Sequence, residues 1–234
     1  MMKIKITFVV VVAVALFGVS AASASASTFL AASYPVLVKG EATNIQGFEI
    51  TGAVSVCEHA TFMTGEEDGL DPAGPSETLL IHPKYTGCHV SIGGAVLTAA
   101  TVTTTGCNYL FHAALSLAAG GTVDIECLAG KLIEIAPAVA GCVISVGGTG
   151  NTGLKEVTYM NEEPVAGKVT VRANVTNILW KATSACGLAG TEGHEAKYKE
   201  GEITSLDIAK LGTGPATAVS EGLKGGLKDN IMVE

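Results

Sequence analysis

Positive charge and aromatic side chains are both scarce in this chain of 234 residues. Lysine and arginine together number 14 against 22 aspartates and glutamates, the formal net charge is −8, and Arg172 is the sole arginine. Nucleic-acid-binding proteins normally present a basic face to phosphates, so this composition argues against a nucleic-acid partner. A disordered acidic protein is also excluded, because hydrophobic residues make up 48% of the chain and charged ones only 15%.

Long apolar runs are missing, but the first residues have the pattern of a secretory signal. Lys3 and Lys5 precede an apolar run over residues 6–19, which is shorter than the roughly 20 residues of a membrane-spanning helix. Two Ala-Ser-Ala tripeptides, at 22–24 and 24–26, fit the cleavage rule. We expect residues 1–24 to be a signal peptide cleaved between 21 and 26, with an uncleaved anchor as the alternative. The product is then extracellular or at the cell surface, without membrane insertion.

Six cysteines follow this segment, and none belongs to a Cys-x-x-Cys pair. They are Cys57, Cys88, Cys107, Cys127, Cys142 and Cys186. An even number of cysteines in an exported chain predicts disulfides, here three. Zinc is the alternative, and the lack of paired ligand spacing and the scattered histidines disfavour it.

Two segments of the chain match at a constant offset of 54 residues. Residues 79–94 and 133–148 are identical at seven of sixteen positions, including a proline, a Gly-Cys pair and a Gly-Gly pair. The match predicts a duplicated unit with related halves at about 33–113 and 121–203. Both halves would lie in one disulfide-stabilised domain over 25–211, followed by a Gly-rich tail over 212–234.

Within these halves, apolar and polar residues alternate with a period of two. Over 169–175, three valines and an alanine are interleaved with Thr170, Arg172 and Asn174, and 123–127 follow the same rule. Alternation of this kind is typical of strands with one face in a core. We therefore predict an all-β fold, an antiparallel β-sandwich or flattened barrel with an internal duplication. Only 109–119 and 205–211 have a helical composition.

The repeat also predicts a disulfide scheme if the strands run up and down in sequence order. The pairs symmetric under the duplication are Cys88–Cys107, Cys142–Cys186 and Cys57–Cys127. Nearest-neighbour pairing, with Cys57–Cys88 and Cys127–Cys142, would join cysteines that this argument places at opposite ends of strands. Six cysteines allow fifteen pairings, so other schemes stay open.

Two polar or aromatic groups are candidate binding sites. The carboxylates Glu66, Glu67, Asp68 and Asp71 form an acidic cluster that suits Ca²⁺, although a solvated insertion is the favoured interpretation. No other cofactor is predicted. Trp180 and Tyr159, with Tyr198 and Phe62, are candidates for a platform under a sugar ring, although aromatics in strands are more often core residues.

Motifs for catalysis are weak. Residues 148–153 match G-x-G-x-x-G, but the residues that follow alternate like a strand, so a hairpin loop is predicted instead of a dinucleotide site. No serine lies in G-x-S-x-G, and none of the five histidines recurs between the matched segments. A single site assembled from dispersed histidines and carboxylates is the form that a hydrolase would take here.

Four short motifs resemble those of small exported actinobacterial β-proteins that bear cysteines. The motifs are Ser33–Gly40, Cys57–Phe62, Pro83–Cys88 and Gly106–Tyr109. The resemblance spans roughly residues 33–198 and implies export and the cysteine framework, but no activity.

These observations predict a secreted, non-catalytic β-protein that serves as a structural or binding module of the cell envelope or extracellular space. Cell-wall or extracellular polysaccharide is the candidate partner, and the state of oligomerisation stays open. The alternatives are a secreted hydrolase with a dispersed site and a carbohydrate- or calcium-dependent adhesion module.

The mass of the exported protein tests the predicted signal peptide and the predicted disulfides together. We expect its intact mass to correspond to a chain beginning after a cleavage between residues 21 and 26, with no thiol available for alkylation. Intact mass spectrometry before and after reduction measures both properties. Six free thiols would contradict the predicted framework.

Overall fold

The computed structural model describes residues 27–31, 34–42, 45–64, 73–94, 98–113, 120–161, 169–199, 201–206 and 211–212. The predicted signal peptide, the acidic cluster Glu66, Glu67, Asp68 and Asp71, and tail residues 213–234 lie outside this part of the chain. Within it, no helix has the length and hydrophobicity needed to cross a membrane.

The described residues form sixteen β-strands and one short 3-10 turn at Ser184–Cys186, which confirms the predicted all-β class. The strands are β1 (Thr28–Phe29), β2 (Lys39–Ala42), β3 (Gln46–Ile50), β4 (Ala53–Met63), β5 (Thr78–Ile92), β6 (Thr98–Thr103), β7 (Cys107–His112), β8 (Gly121–Cys127), β9 (Ile133–Pro137), β10 (Ile144–Val146), β11 (Leu154–Asn161), β12 (Val169–Ala173), β13 (Ile178–Ala182), β14 (Glu192–Lys199), β15 (Gly201–Leu206) and β16 (Leu211–Gly212).

Antiparallel ladders join fourteen of these strands into a closed barrel, and β1 pairs separately with β16. The ladders trace two circuits of eight strands that share β4 and β5. One circuit runs β4-β3-β14-β13-β10-β9-β6-β5. The other runs β4-β2-β15-β12-β11-β8-β7-β5. Because both circuits close, each of these fourteen strands pairs with a neighbouring strand on both of its sides.

The hairpin of β4 and β5 belongs to both circuits because each strand changes its outer partner along its length. The two strands pair in unbroken register from Ala53 opposite Ile92 to Met63 opposite His82. The outer side of β5 pairs with β7 over residues 78–81 and with β6 over 88–90. Pro83 lies between these two ladders, where its missing N–H leaves no bond to β6 or β7 unmade.

Inward-facing side chains of both circuits form one contiguous apolar core. Val38, Ile81, Val157 and Ala196 are all completely buried in it. The alternation predicted for residues 123–127 is confirmed in β8, where Val123 and Ile125 enter the core.

The six cysteines form three disulfides, as predicted, but only one of the three predicted pairs is present. Cys142–Cys186 is confirmed, whereas Cys57 is bonded to Cys88 and Cys107 to Cys127. The prediction placed Cys57 and Cys88 at opposite strand ends. Both lie inside long strands, directly opposite each other across the ladder. Cys107 and Cys127 likewise face each other where β7 begins and β8 ends.

Two further expectations can be compared with the structure. Residues 109–112 belong to β7 and 205–206 to β15, so the helical interpretation of these parts is wrong. The matched segments 79–94 and 133–148 also differ, because the first lies largely in β5 and the second is divided between β9 and β10. The internal duplication therefore stays a prediction from the sequence.

The observed pairing predicts how much each disulfide contributes to stability. Cys142–Cys186 spans 44 residues and Cys107–Cys127 spans 20. Restriction of the unfolded chain then contributes about 4 kcal/mol for the longer loop and about 3 kcal/mol for the shorter one. We expect the double Cys→Ala variant at 142 and 186 to lose more unfolding free energy than the variant at 107 and 127, as measured by urea denaturation. The reverse order would contradict the loop-length account.

Candidate functional site

The barrel interior contains a cavity of about 80 Å³. Strands of both circuits contribute to its wall, which consists mainly of aliphatic and aromatic side chains. Among them are Phe62, Val102, Phe111, Val123, Ile135 and Ile178. A mostly apolar cavity that contains a few convergent polar groups is the usual form of a small-molecule site.

Three tyrosines and a glutamine supply polar groups in this cavity. The hydroxyl oxygens of Tyr85 and Tyr109 lie 2.9 Å apart, and the Tyr85 hydroxyl donates a long bond of 3.5 Å to the hydroxyl of Tyr198. The Tyr198 hydroxyl in turn donates to Oε1 of Gln46. We call these four residues the tyrosine chain.

The tyrosine chain is assembled from strands that are distant in sequence. Gln46 lies on β3, Tyr85 on β5, Tyr109 on β7 and Tyr198 on β14. Edge-to-face contacts orient two of the rings, because Phe62 packs against Tyr85 at 6.2 Å between centroids and Phe111 against Tyr109 at 6.4 Å. Only closure of the barrel brings the four polar groups together.

Burial keeps these hydroxyls protonated at a higher pH than free tyrosine. It raises the pKa of Tyr109 to about 12, despite an opposing contribution from the hydrogen bond with Tyr85. It also raises the pKa of Tyr85, where both neighbouring tyrosines add to the shift, and of Tyr198, where Tyr109 adds to the shift and the hydrogen bond with Tyr85 opposes it. Tyr109 and Tyr198 nevertheless keep some accessible area. Because both line the cavity, this area is consistent with exposure to the cavity.

The aromatic pair named as a candidate platform is buried. Trp180 is 3% exposed and Tyr159 is 6% exposed. The Trp180 indole N–H donates to Glu195 at 3.2 Å, and the Tyr159 hydroxyl donates to the backbone oxygen of His112 at 3.0 Å. Both are therefore core residues in this structure. Their two companions in the sequence argument, Phe62 and Tyr198, line the cavity instead.

Among the described residues, no group of three histidine, cysteine or acidic side chains is arranged to hold a metal ion. The carboxylates named as calcium candidates, Glu66, Glu67, Asp68 and Asp71, lie outside the described part of the chain. Calcium binding there stays a prediction.

One histidine–carboxylate pair is relevant to the hydrolase alternative. His112 Nε2 lies 3.0 Å from Asp124 Oδ2, and the other oxygen of Asp124 accepts the Gly153 N–H at 2.6 Å. A hydrolytic triad also needs a nucleophilic side chain that is hydrogen-bonded to the histidine ring. Within the described ranges, no serine or threonine hydroxyl is hydrogen-bonded to the His112 ring. The pair links β7 and β8 to the loop before β11.

The G-x-G-x-x-G segment at 148–153 has a structural role. It connects β10 to β11 and leads into a strand, as predicted for a loop, whereas a dinucleotide site needs a helix there. Asn151 in this loop is fully buried. Its amide donates to the backbone oxygens of Gly147 and Leu179 and accepts the Leu179 N–H.

A second concave region is a wide groove beside this loop, with a volume of about 1330 Å³. Residues 128–132 form one part of its wall, and β13 and β14 form another. Lys131, Lys181, Glu192 and His194 supply charged or titratable groups. Lys181 and Glu192 are paired at 3.8 Å, and both side chains are highly exposed. The groove thus resembles an ordinary solvated surface more than a preorganised site.

Comparisons with known proteins give no relative. No protein-family model, no curated protein and no solved structure matches the chain. The resemblance to exported actinobacterial proteins therefore stays a prediction.

Three members of the tyrosine chain, Gln46, Tyr85 and Tyr109, were not predicted from the sequence as site residues. An available signal was the position of Tyr109 and Phe111 on one face of an alternating strand. That signal does not distinguish a core position from a cavity wall.

The raised pKa values predict a loss of stability in alkali. The unfolded chain releases tyrosine protons at about pH 10, whereas folded Tyr109 keeps its proton up to about pH 12. Between these values, each such tyrosine lowers the unfolding free energy by about 1.4 kcal/mol per pH unit, and this loss is absent below pH 10. We expect Tyr109→Phe to make the decline less steep in urea denaturation from about pH 9 to 11.5. Tyrosinate absorbance from all five tyrosines at pH 10 in the folded protein would contradict this expectation.

Proposed function

We propose that the protein is an exported, non-catalytic binding module that receives a small ligand inside its barrel. The three disulfides support an oxidising environment such as the extracellular space or cell surface. The apolar core is extensive, so the disulfides are consistent with added resistance in a harsh setting.

The observation that carries this proposal is the tyrosine chain inside an apolar cavity. Leaving polar groups in a barrel interior costs stability unless they are hydrogen-bonded. Here four polar side chains converge on a space that the surrounding side chains do not fill. Binding is favoured over catalysis because the interior supplies neutral hydroxyls and an amide, without a paired acid and base.

A polysaccharide partner is the second candidate from the sequence. Tyr159 is buried, and Trp180 lines the open groove but is only 3% exposed, so neither ring offers a sugar a platform. A polysaccharide would have to bind the other residues of the groove. A cell-envelope location is compatible with either ligand.

Binding and turnover can be separated in one set of measurements on the exported, oxidised protein. We expect a small-molecule library, screened by protein-observed NMR, to produce saturable shifts at β7, β8 and β14, with no turnover of ester, glycoside or peptide substrates. Turnover that is lost in His112→Ala would support the hydrolase instead. The interior site would be contradicted if cell-wall polysaccharide bound saturably and shifted only the NMR signals of the groove residues, while no library member shifted those of the cavity residues.

A further inference from the structure

We propose that the cavity binds a short-chain alcohol, an uncharged molecule of about three or four non-hydrogen atoms whose hydroxyl is hydrogen-bonded to the tyrosine chain. This inference names the ligand class of the proposed binding module and rests on that proposed function.

The volume of the cavity limits the size of the ligand. An apolar protein cavity of about 150 Å³ binds benzene, a ring of six carbon atoms. The cavity of this barrel measures about 80 Å³, which is roughly half as much, so it takes roughly three to four non-hydrogen atoms at the same filling. Ethanol and 1-propanol lie within this limit, whereas an aromatic ring or a sugar does not.

The wall of the cavity determines the charge and polarity of the ligand. No lysine, arginine, histidine, aspartate or glutamate is among the residues that line it. A charged ligand would lose its hydration without gaining an opposite charge, which is strongly unfavourable. The polar side chains of the wall are the tyrosine chain and Ser55, and most of the others are aliphatic or aromatic. The wall therefore suits a neutral ligand with a short hydrocarbon part and one polar group.

The hydrogen bonding of Tyr109 indicates which polar group the ligand carries. Among the described residues, the Tyr109 hydroxyl is hydrogen-bonded only to the Tyr85 hydroxyl, and either of the two can be the donor. If Tyr109 donates this bond, its oxygen is left to accept another, and if it accepts, its proton is left to donate. An alcohol hydroxyl both donates and accepts, so it can bond to Tyr109 in either case. A ketone or an ether only accepts and suits one case alone.

A ligand of this size binds weakly but with a recognisable dependence on length. Even the best very small ligands gain so little per atom that four atoms limit the Kd to a few tens of micromolar or weaker. Each CH₂ group that enters the cavity should lower the Kd about fourfold. This gain ends when the chain no longer fits. An alcohol that binds only to exposed apolar surface has no such end, and its affinity increases with every added CH₂ group.

A series of straight-chain alcohols tests the size limit. Methanol, ethanol, 1-propanol, 1-pentanol and 1-hexanol are titrated into the exported, oxidised protein, and the NMR signals of the cavity residues are followed. We expect saturable shifts whose Kd decreases about fourfold per carbon from methanol to 1-propanol. We expect 1-pentanol, which has as many non-hydrogen atoms as benzene, and 1-hexanol to leave these signals unshifted.

Ethanol and propane test the hydrogen bond, because they have nearly the same shape and differ by a hydroxyl in place of a methyl group. Propane is dissolved under pressure and followed by the same NMR signals. We expect Tyr109→Phe to weaken ethanol by roughly two- to tenfold while propane binds equally well or better, since one neutral hydrogen bond is lost and the site becomes more apolar. Tyr159→Phe removes a buried hydroxyl that does not line the cavity, so it is the matched control and should leave both affinities unchanged.

A variant of the wall tests whether the alcohols bind inside the cavity. Ala173 lines the cavity, and Ala173→Val adds two carbon atoms to its wall. We expect this variant to lose 1-propanol and to keep methanol as the longest alcohol that binds well. If the variant does not fold, Val102→Ile adds a single carbon atom to the same wall and should shorten the longest bound alcohol by one carbon.

Three results would overturn the inference. They are an affinity that keeps increasing through 1-hexanol, an equal loss of ethanol and propane in Tyr109→Phe, and the same longest alcohol in a folded variant of the wall. An absence of cavity shifts with every alcohol would overturn it as well. If larger members of the library shift the cavity residues in that case, the ligand class is wrong and the binding module stands. If no compound shifts them, both proposals fail.

Discussion

The antiparallel ladder between β4 and β5 is the constraint on which the rest of the structure depends. It extends over ten residue pairs and is a shared wall of both eight-stranded circuits. A shift of one residue along this ladder would turn every core side chain of the hairpin outward. The disulfide between Cys57 and Cys88 holds two directly opposite residues in the middle of the ladder and so opposes such a shift.

The shared hairpin also explains why the cavity has walls from both circuits. Phe62 and Tyr85, which pack against each other, come from the hairpin itself. Tyr198 enters through one circuit and Tyr109 through the other, and both reach the Tyr85 hydroxyl. The tyrosine chain therefore joins the circuits by hydrogen bonds in the interior, as the hairpin joins them by backbone pairing. Burial raises the pKa of each tyrosine and so extends the neutrality of the chain above the usual titration range of tyrosine.

Local pattern predicted the class of fold and much of the core. The alternation in β8 and β12 is a property of consecutive residues, so Val123, Ile125, Val169 and Val171 were identified correctly as inward-facing positions. The length of a strand could not be predicted from the same alternation. Pro83 has the appearance of a turn residue, yet β5 continues through it because its outer partner changes there.

That error about strand length led to the wrong disulfide pairs, since it placed Cys57 and Cys88 at strand ends. The cavity could not be predicted from local sequence patterns for a different reason. Tyr85, Tyr109 and Tyr198 meet only through closure of the barrel, and no short-range spacing relates them. Of the four aromatics considered as a sugar platform, Phe62 and Tyr198 line the cavity, whereas Trp180 and Tyr159 pack in the core away from it.

Native-state hydrogen exchange of the backbone amides in β4 and β5 is the most direct test of the shared hairpin. If both circuits depend on it, the amides of residues 53–57 and 88–92 and those of 59–63 and 82–86 should exchange with the same free energy, close to that of global unfolding. Exchange of one set through a separate opening of much lower free energy, while the other set stays protected, would show that the circuits are independent units and would contradict this account.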